Sequence, residues 1–199
     1  MITPAASGAP WTVARIGGKR QTEAEMTDHQ FTLVLQGNLN HDQTLDALFE
    51  AGCNDATFGT VDQVGYAEFV REASSFGEAV RSAIEDVESV PGIKVQRIEP
   101  DDLVTMTEIA ERLGRSRESV RLLIQGARGP GGFPAPVSHL RAKSRLWRWS
   151  EVALWAAEST SPVDSHAAAV IAALNAALTL RTSSMHLTPG ERSLLATLI

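Results

Sequence analysis

Apolar residues recur along this chain at two different spacings, and each change of spacing marks an element. Residues 31–37 (FTLVLQG) form a short β-rich run that Gly37 ends. Asn40 stands three residues before Gln43, a start similar to a capping box. DQTLDALFEAG then predicts a helix that buries Leu45, Leu48 and Phe49 and stops at Gly52. ATFGTVDQ and VGYAEFVREA alternate as two strands joined by a turn near Gly65. SFGEAVRSAIEDVESV returns to helical spacing through Phe76, Val80, Ile84 and Val87. PGIKVQRIEP closes the series as a strand carrying Ile93, Val95 and Ile98. The predicted order is β-α-β-β-α-β.

A second set of signals begins near residue 103. Thr105 and Glu108 make a T-x-x-E capping box, Ile109, Ala110 and Leu113 form an inner face, and Gly114 ends the helix. Ser116 caps a second helix, RESVRLLIQ, with Val120, Leu123 and Ile124 inward and Gly126 as its stop. Two short helices around a Gly-containing turn of three residues predict a helix-turn-helix. The loop GARGPGGFPAP follows, then two β-like segments at Val137–Leu140 and Arg145–Trp149. A helix starting at Ser150 carries Val152, Leu154 and Trp155. Beyond the linker SPVDS, residues 166–181 read as an alanine-rich helix. Thr188, Pro189 and Glu191 start a short terminal one.

The fold class expected is therefore α+β. A tail of residues 1–25, without hydrophobic periodicity and read as disordered, precedes an acidic ferredoxin-like domain over 26–102. A winged helix-turn-helix over 103–160 and a C-terminal helical extension over 161–199 complete the chain. Met26 is an alternative natural start.

Composition narrows the class. Of 199 residues, 43% are hydrophobic and 21% charged, as in ordinary globular proteins. The longest apolar-rich stretch, Ala167 to Leu180, is interrupted by Asn175 and Thr179, so no membrane span is expected there. The single cysteine, Cys53, excludes an internal disulfide and a cysteine-based zinc site, and reads as a small buried hydrophobe. These features place the protein in a cytoplasm. The net charge of −6 conceals a separation of signs: residues 26–104 carry 15 acidic and 4 basic side chains, whereas residues 105–150 carry 9 basic and 3 acidic. A compact basic block in an acidic chain is a footprint for a polyanion.

The second helix of the pair places Arg117, Arg121 and Gln125 on an outward stripe at i, i+4 and i+8. Arginine bonds guanine bidentately, and glutamine does the same with adenine. Glu118 accepts from cytosine or repels wrong registers. In the segment HLRAKSRLWRW, Arg141, Lys143 and Arg145 stand at a hairpin tip, where a wing meets phosphates. TMTEIAERLGRSRESVRLLI, then FPAPV, then RLWRWSEVALWA, resembles the winged helix-turn-helix of excisionases, AlpA-type phage regulators and MerR regulators. The matching marks are Ala110, Gly114 and Val120, Phe133-Pro134 with Pro136-Val137, and Trp147-Arg148-Trp149 leading into Glu151-Val152. The resemblance implies base contacts by Arg117, Arg121 and Gln125, and backbone contacts by Ser116, Arg141, Lys143 and Arg145. Arg115 departs from the small apolar residue usual in such turns, and implies either a phosphate contact or a local distortion.

Trp147, Trp149 and Trp155 fit core packing better than a stacking platform for single strands. His29, His41, His139, His166 and His186 never pair at metal-ligand spacing. Asn38, Asn40, Asp42 and Asp46 mimic a calcium loop, but Gln43 stands where glycine is needed and Phe49 where glutamate is. GARGPGG lacks the Lys-Ser/Thr ending of a phosphate loop. No enzyme and no cofactor is expected. The expected function is sequence-specific binding of double-stranded DNA by a bacterial or phage-derived transcriptional regulator, nucleoid-associated, with a homodimer through residues 165–199 as the favoured assembly. The other classes are an excisionase-like DNA-bending factor, and an antitoxin or adaptor holding a protein partner on its acidic domain.

Overall fold

The computed structural model describes residues 25–139, 142, 144–159 and 163–198. The tail expected over residues 1–25 thus lies outside the described residues except for Glu25. Strand β1 (Thr27–Gln36), helix α1 (Asp42–Glu50), strands β2 (Ala56–Val61) and β3 (Val64–Ala73), helix α2 (Phe76–Ser89) and strand β4 (Lys94–Glu99) follow in the predicted order. The sheet order is β2-β3-β1-β4 with every neighbouring pair antiparallel. Alternation sends Phe31, Leu33 and Leu35 of β1, with Ala67 and Phe69 of β3, against Leu48 of α1 and Ala79, Val80, Ala83 and Val87 of α2.

Four local details differ from the sequence reading. The hairpin turns at Asp62-Gln63, both at positive φ (49° and 67°), which is the backbone of a two-residue turn matched to strand twist. Gly65 lies within β3 instead, where a Cβ would come 2.7 Å from Leu39 Cδ1. Helix α1 is capped by His41 without a side-chain bond, one residue beyond the expected Asn40, whose N–H donates to Asn38 Oδ1 at 2.9 Å. Phe49, expected inside, is 64% exposed: Leu45 and Leu48 already face the sheet, and Phe49 lies about 100° further round the helix than Leu48.

One polar side chain penetrates this core. Arg71 of β3 shares the inward face with Phe69, lies 4.9 Å over its ring, and is buried. It donates to both oxygens of Asp55 (2.7 and 2.9 Å), to Asp86 Oδ2 at 2.7 Å and to the Gly52 carbonyl at 3.0 Å. The guanidinium thereby joins the α1–β2 connection to α2. Cys53 is buried beside it, its thiol pushed up to about 11 by burial and then by the Asp86 carboxylate.

Strand β5 (Leu103–Thr105), absent from the sequence reading, pairs antiparallel with β6 (Leu146–Arg148). Helices α3 (Met106–Arg112) and α4 (Arg117–Ile124) lie between them in the chain, and α5 (Trp149–Ser159) follows directly. Their core joins Val104, Ile109, Ala110, Leu113, Val120, Trp147, Trp149 and Val152. Val152, Ala153 and Ala156 form the buried face of α5, and Leu154 is 54% exposed. Buried Asp102 holds the start of α5: its carboxylate accepts from Ser150 N–H at 2.8 Å and its carbonyl from Trp149 N–H at 2.6 Å.

Helix α6 (Ser165–Ser184) unites the two cores, with Ala168 in the second and Ile171 and Leu178 in the first. Twenty residues and an apolar composition make it long enough to cross a membrane, against the shorter stretch read from sequence. Here it lies along the free edge of β4. Asn175 accepts from Ile98 N–H at 2.7 Å and donates to Ile98 carbonyl at 2.8 Å, and Arg181 donates to Val95 carbonyl at 2.7 Å. Helix α7 (Pro189–Ala196) starts with the expected Thr188–Glu191 capping box and buries no residue.

Candidate nucleic-acid interface

The helix pair is set by its ends. Thr105 Oγ1 accepts from Glu108 N–H at 3.3 Å while Glu108 accepts from Thr105 N–H at 2.7 Å. Those bonds from Thr105 hold the Glu108 carboxyl below the usual carboxylate range. At the other end Gly114, at φ +60°, donates to Glu111 carbonyl and Arg115 N–H to Ala110 carbonyl. This is a Schellman closure, in which the left-handed residue is ordinarily glycine. Arg115 therefore follows a regular turn, which removes the local distortion as an explanation of that residue. Ser116 then caps α4 by accepting from Ser119 N–H at 3.2 Å. Val120 and Leu123 are buried, which leaves Arg117, Arg121 and Gln125 exposed along the opposite stripe.

That stripe lines one wall of a groove. Its other walls are Thr105, Met106 and Thr107 at the start of α3, and Ala142, Ser144, Arg145 and Trp147 on the segment entering β6. The groove brings together Arg117, Arg121, Gln125 and Arg145. Ser116, Arg115 and Glu118 do not line it: Ser116 and Glu118 are exposed beside it, and Arg115 is half-buried. Arg141 and Lys143 lie outside the described residues.

Among its described residues the predicted hairpin is shorter than read. Val137 and Ser138 both donate to Leu146 carbonyl, and Ser138 carbonyl accepts from Leu146 N–H, but among the described residues of the hairpin only Ser138 and Leu146 form a bridge. His139, at φ +54°, leaves the extended conformation that further pairing requires. Strand β6 instead uses its other edge to pair with β5.

No family model, no curated protein and no solved structure matches the chain. The chemistry of the groove thus rests on its own residues.

The nine basic side chains of residues 105–150 have different employments. Arg112 lies 5.1 Å over the Trp149 ring and donates to Asp101 carbonyl, and burial lowers its pKa. Arg148 pairs with Asp102 at 3.2 Å. Both are held by neighbours of their own chain, Arg112 half-buried and Arg148 exposed. Arg121 is exposed but clamped: its Nε and Nη2 donate to Glu118 at 2.8 and 2.6 Å, and its Nη1 donates to Gln125 Oε1 at 2.8 Å. Among the described residues, Arg115, Arg117, Arg128 and Arg145 have no ion pair, so their charge is available to a ligand.

Trp147, Trp149 and Trp155 are committed to packing. Trp147 Nε1 donates to Pro134 carbonyl at 3.2 Å, and Trp155 Nε1 to Gly131 carbonyl at 2.9 Å, with Phe133 edge-on to Trp155 at 4.8 Å. These bonds fasten the 126–137 loop to the module. Sequence reading missed the polar lining that Thr105, Thr107 and Ser144 give the groove, and the exposed Arg128. The capping box was the usable signal for Thr107, since it fixes Thr105 as the cap and sets Thr107 in the first turn.

Proposed function

We propose that this chain is a sequence-specific double-stranded DNA-binding protein, a transcriptional regulator of a bacterial or phage-derived operon. In this reading a ferredoxin-like domain precedes a winged helix-turn-helix, and α6 and α7 form the extension. Helix α4 enters the major groove, Arg117, Arg121 and Gln125 meet base edges, and Arg145 with Ser116 meets phosphates. A single observation carries it. The outward stripe of α4 and Arg145, far apart in sequence, line one groove in a segment with a net excess of cations. A helix whose exposed arginines face such a groove presents the planar donors that guanine and phosphate accept. Localisation follows from this reading: the protein acts on the nucleoid in a cytoplasm. A homodimer would place two modules on successive turns of one DNA face. Met185, Leu194 and Leu198, exposed at the C-terminal end, offer apolar surface for such a dimer.

The test is a titration of the full chain against a pool of random duplexes at several salt concentrations, followed by selection from that pool. Binding that weakens steeply between about 50 and 200 mM salt, with enrichment of one sequence, is the expected result. A chain that binds no duplex at low salt overturns the proposal.

A further inference from the structure

The unexpected feature of the proposed interface is that its central arginine is already occupied. Arg121 gives Nε and Nη2 to the two oxygens of Glu118 and Nη1 to Gln125 Oε1, so the fork that would bind a ligand is filled by side chains of its own helix. Arg117, one turn earlier on the same stripe, has no ion pair among the described residues. Two arginines of one face therefore meet a ligand in different electrostatic states.

We infer that Glu118 is a specificity-determining gate, which withholds Arg121 from phosphates and yields it to the neutral acceptors of a base edge. This inference rests on the DNA-binding reading above and adds to it the selection of ligand atoms. A phosphate approaching Arg121 must come close to the Glu118 carboxylate, and like charges at that range repel. Guanine O6 and N7 are acceptors without net charge, and they suffer no such penalty. Cytosine and adenine amino groups in the same groove even offer donors to the released carboxylate. The pair is exposed on both sides, and such surface pairs are weak and easily exchanged. A gate needs that weakness, since it must open for the right ligand. Gln125 completes the device by holding the third guanidinium nitrogen along the stripe, with its own amide nitrogen left to donate.

The account separates Glu118 from a carboxylate that merely favours the helix. Glu118 sits in the first turn of α4, where any acid complements the helix dipole. That role alters helix stability and leaves the number of phosphates contacted unchanged. The gate alters that number. Removing the charge frees Arg121 for one more phosphate, and each such contact adds about 0.9 to the slope of log affinity against log salt.

The experiment compares the full-length wild type with Glu118→Gln and Glu118→Asp on two probes, the unselected pool of random duplexes and the duplex selected from it by the wild type. Glu118→Gln is expected to bind the random pool about tenfold tighter at about 50 mM salt, with a slope steeper by about one. Its preference for the selected duplex falls by a comparable factor. Glu118→Asp keeps the charge and is expected to follow the wild type in slope and preference. An unchanged slope and preference in Glu118→Gln overturns the gate while leaving DNA binding intact. So does weaker binding to the selected duplex alone, which would make Glu118 a direct base contact. Glu118→Asp behaving as Glu118→Gln also overturns it. Failure of the wild type to bind either probe is the separate result that defeats the DNA-binding reading and the gate with it.

Discussion

Arg121 and Arg71 show how differently one residue type serves this molecule. Both grip side chains of their own chain, yet Arg121 is exposed on a helix and Arg71 is buried between sheet and helices. Replacing Arg71 by Ala would strand the partly buried carboxylates of Asp55 and Asp86 against each other and leave Gly52 carbonyl without its donor. A loss of about 3 kcal/mol is expected in a denaturant titration, because removing one partner of a buried pair leaves uncompensated charge. A loss within the scatter of ordinary surface substitutions would show that the cluster is solvated. Nothing in the sequence distinguishes Arg71 from a surface arginine except its place on the inward side of an alternating strand. Alternation read alone would have put an apolar residue there. Arg117, Arg121 and Gln125 were legible because helical periodicity needs only the buried residues Val120 and Leu123 to fix the opposite face. The clamp on Arg121 was not, since Glu118 also suits the first turn of any helix.

At the scale of elements, caps and stops were the most readable features. Thr105 with Glu108, Ser116, Gly114, Thr188 and Glu191 act through neighbours in sequence, and so their partners are known in advance. Long-range pairing was less legible. Val34 pairs with Arg97 but Leu35 with Val95, so Gln96 is an extra residue in β4. That bulge lets Val95 and Ile98, three apart, both face the core, which a strict two-residue period forbids. The partner of the β4 edge comes from far away, as α6. Asn175→Leu would remove both bonds to Ile98 and leave a part-buried N–H and carbonyl unpaired, at a cost of about 2 kcal/mol. The same docking depends on pH. Burial by itself would raise the Glu88 carboxyl, but Val95 N–H and the Arg181 guanidinium together hold it below its usual range. A carboxyl lowered in the folded state contributes stability that is complete above the unfolded value of about 4.3 and is lost as pH falls through the folded value. Melting measured from neutrality down to acid should therefore show a Glu88-dependent loss below that value, absent in Glu88→Gln. A Glu88→Gln profile that parallels the wild type throughout would contradict it.

Across the whole molecule, charge is sorted by domain while packing is continuous. The sheet domain holds most of the acids and the α3–α5 module half of the cations, yet α6 contributes Ile171 and Leu178 to one core and Ala168 to the other. Asp102 adds a second tie by holding the start of α5 from the end of the sheet domain. The element order up to β4 and the helices α3 to α7 were legible in the sequence, whereas β5 was not, and nothing signalled that one helix packs on both cores, because α6 has few charges to show which faces are dry. Binding measurements on a fragment lacking the sheet would strip α6 of its partner, so they belong on the full chain. The acidic domain cannot itself supply the counterion release that drives affinity for DNA. In the proposed reading, that task falls to the groove between α4 and Arg145. The most direct test of that assignment is anisotropy of a selected duplex titrated with the full chain and with Arg117→Ala/Arg121→Ala, both checked for an unchanged circular dichroism melt. The account predicts a loss of at least about tenfold in affinity with a relaxed preference at the contacted bases. Equal affinity and equal preference in the double variant would contradict it.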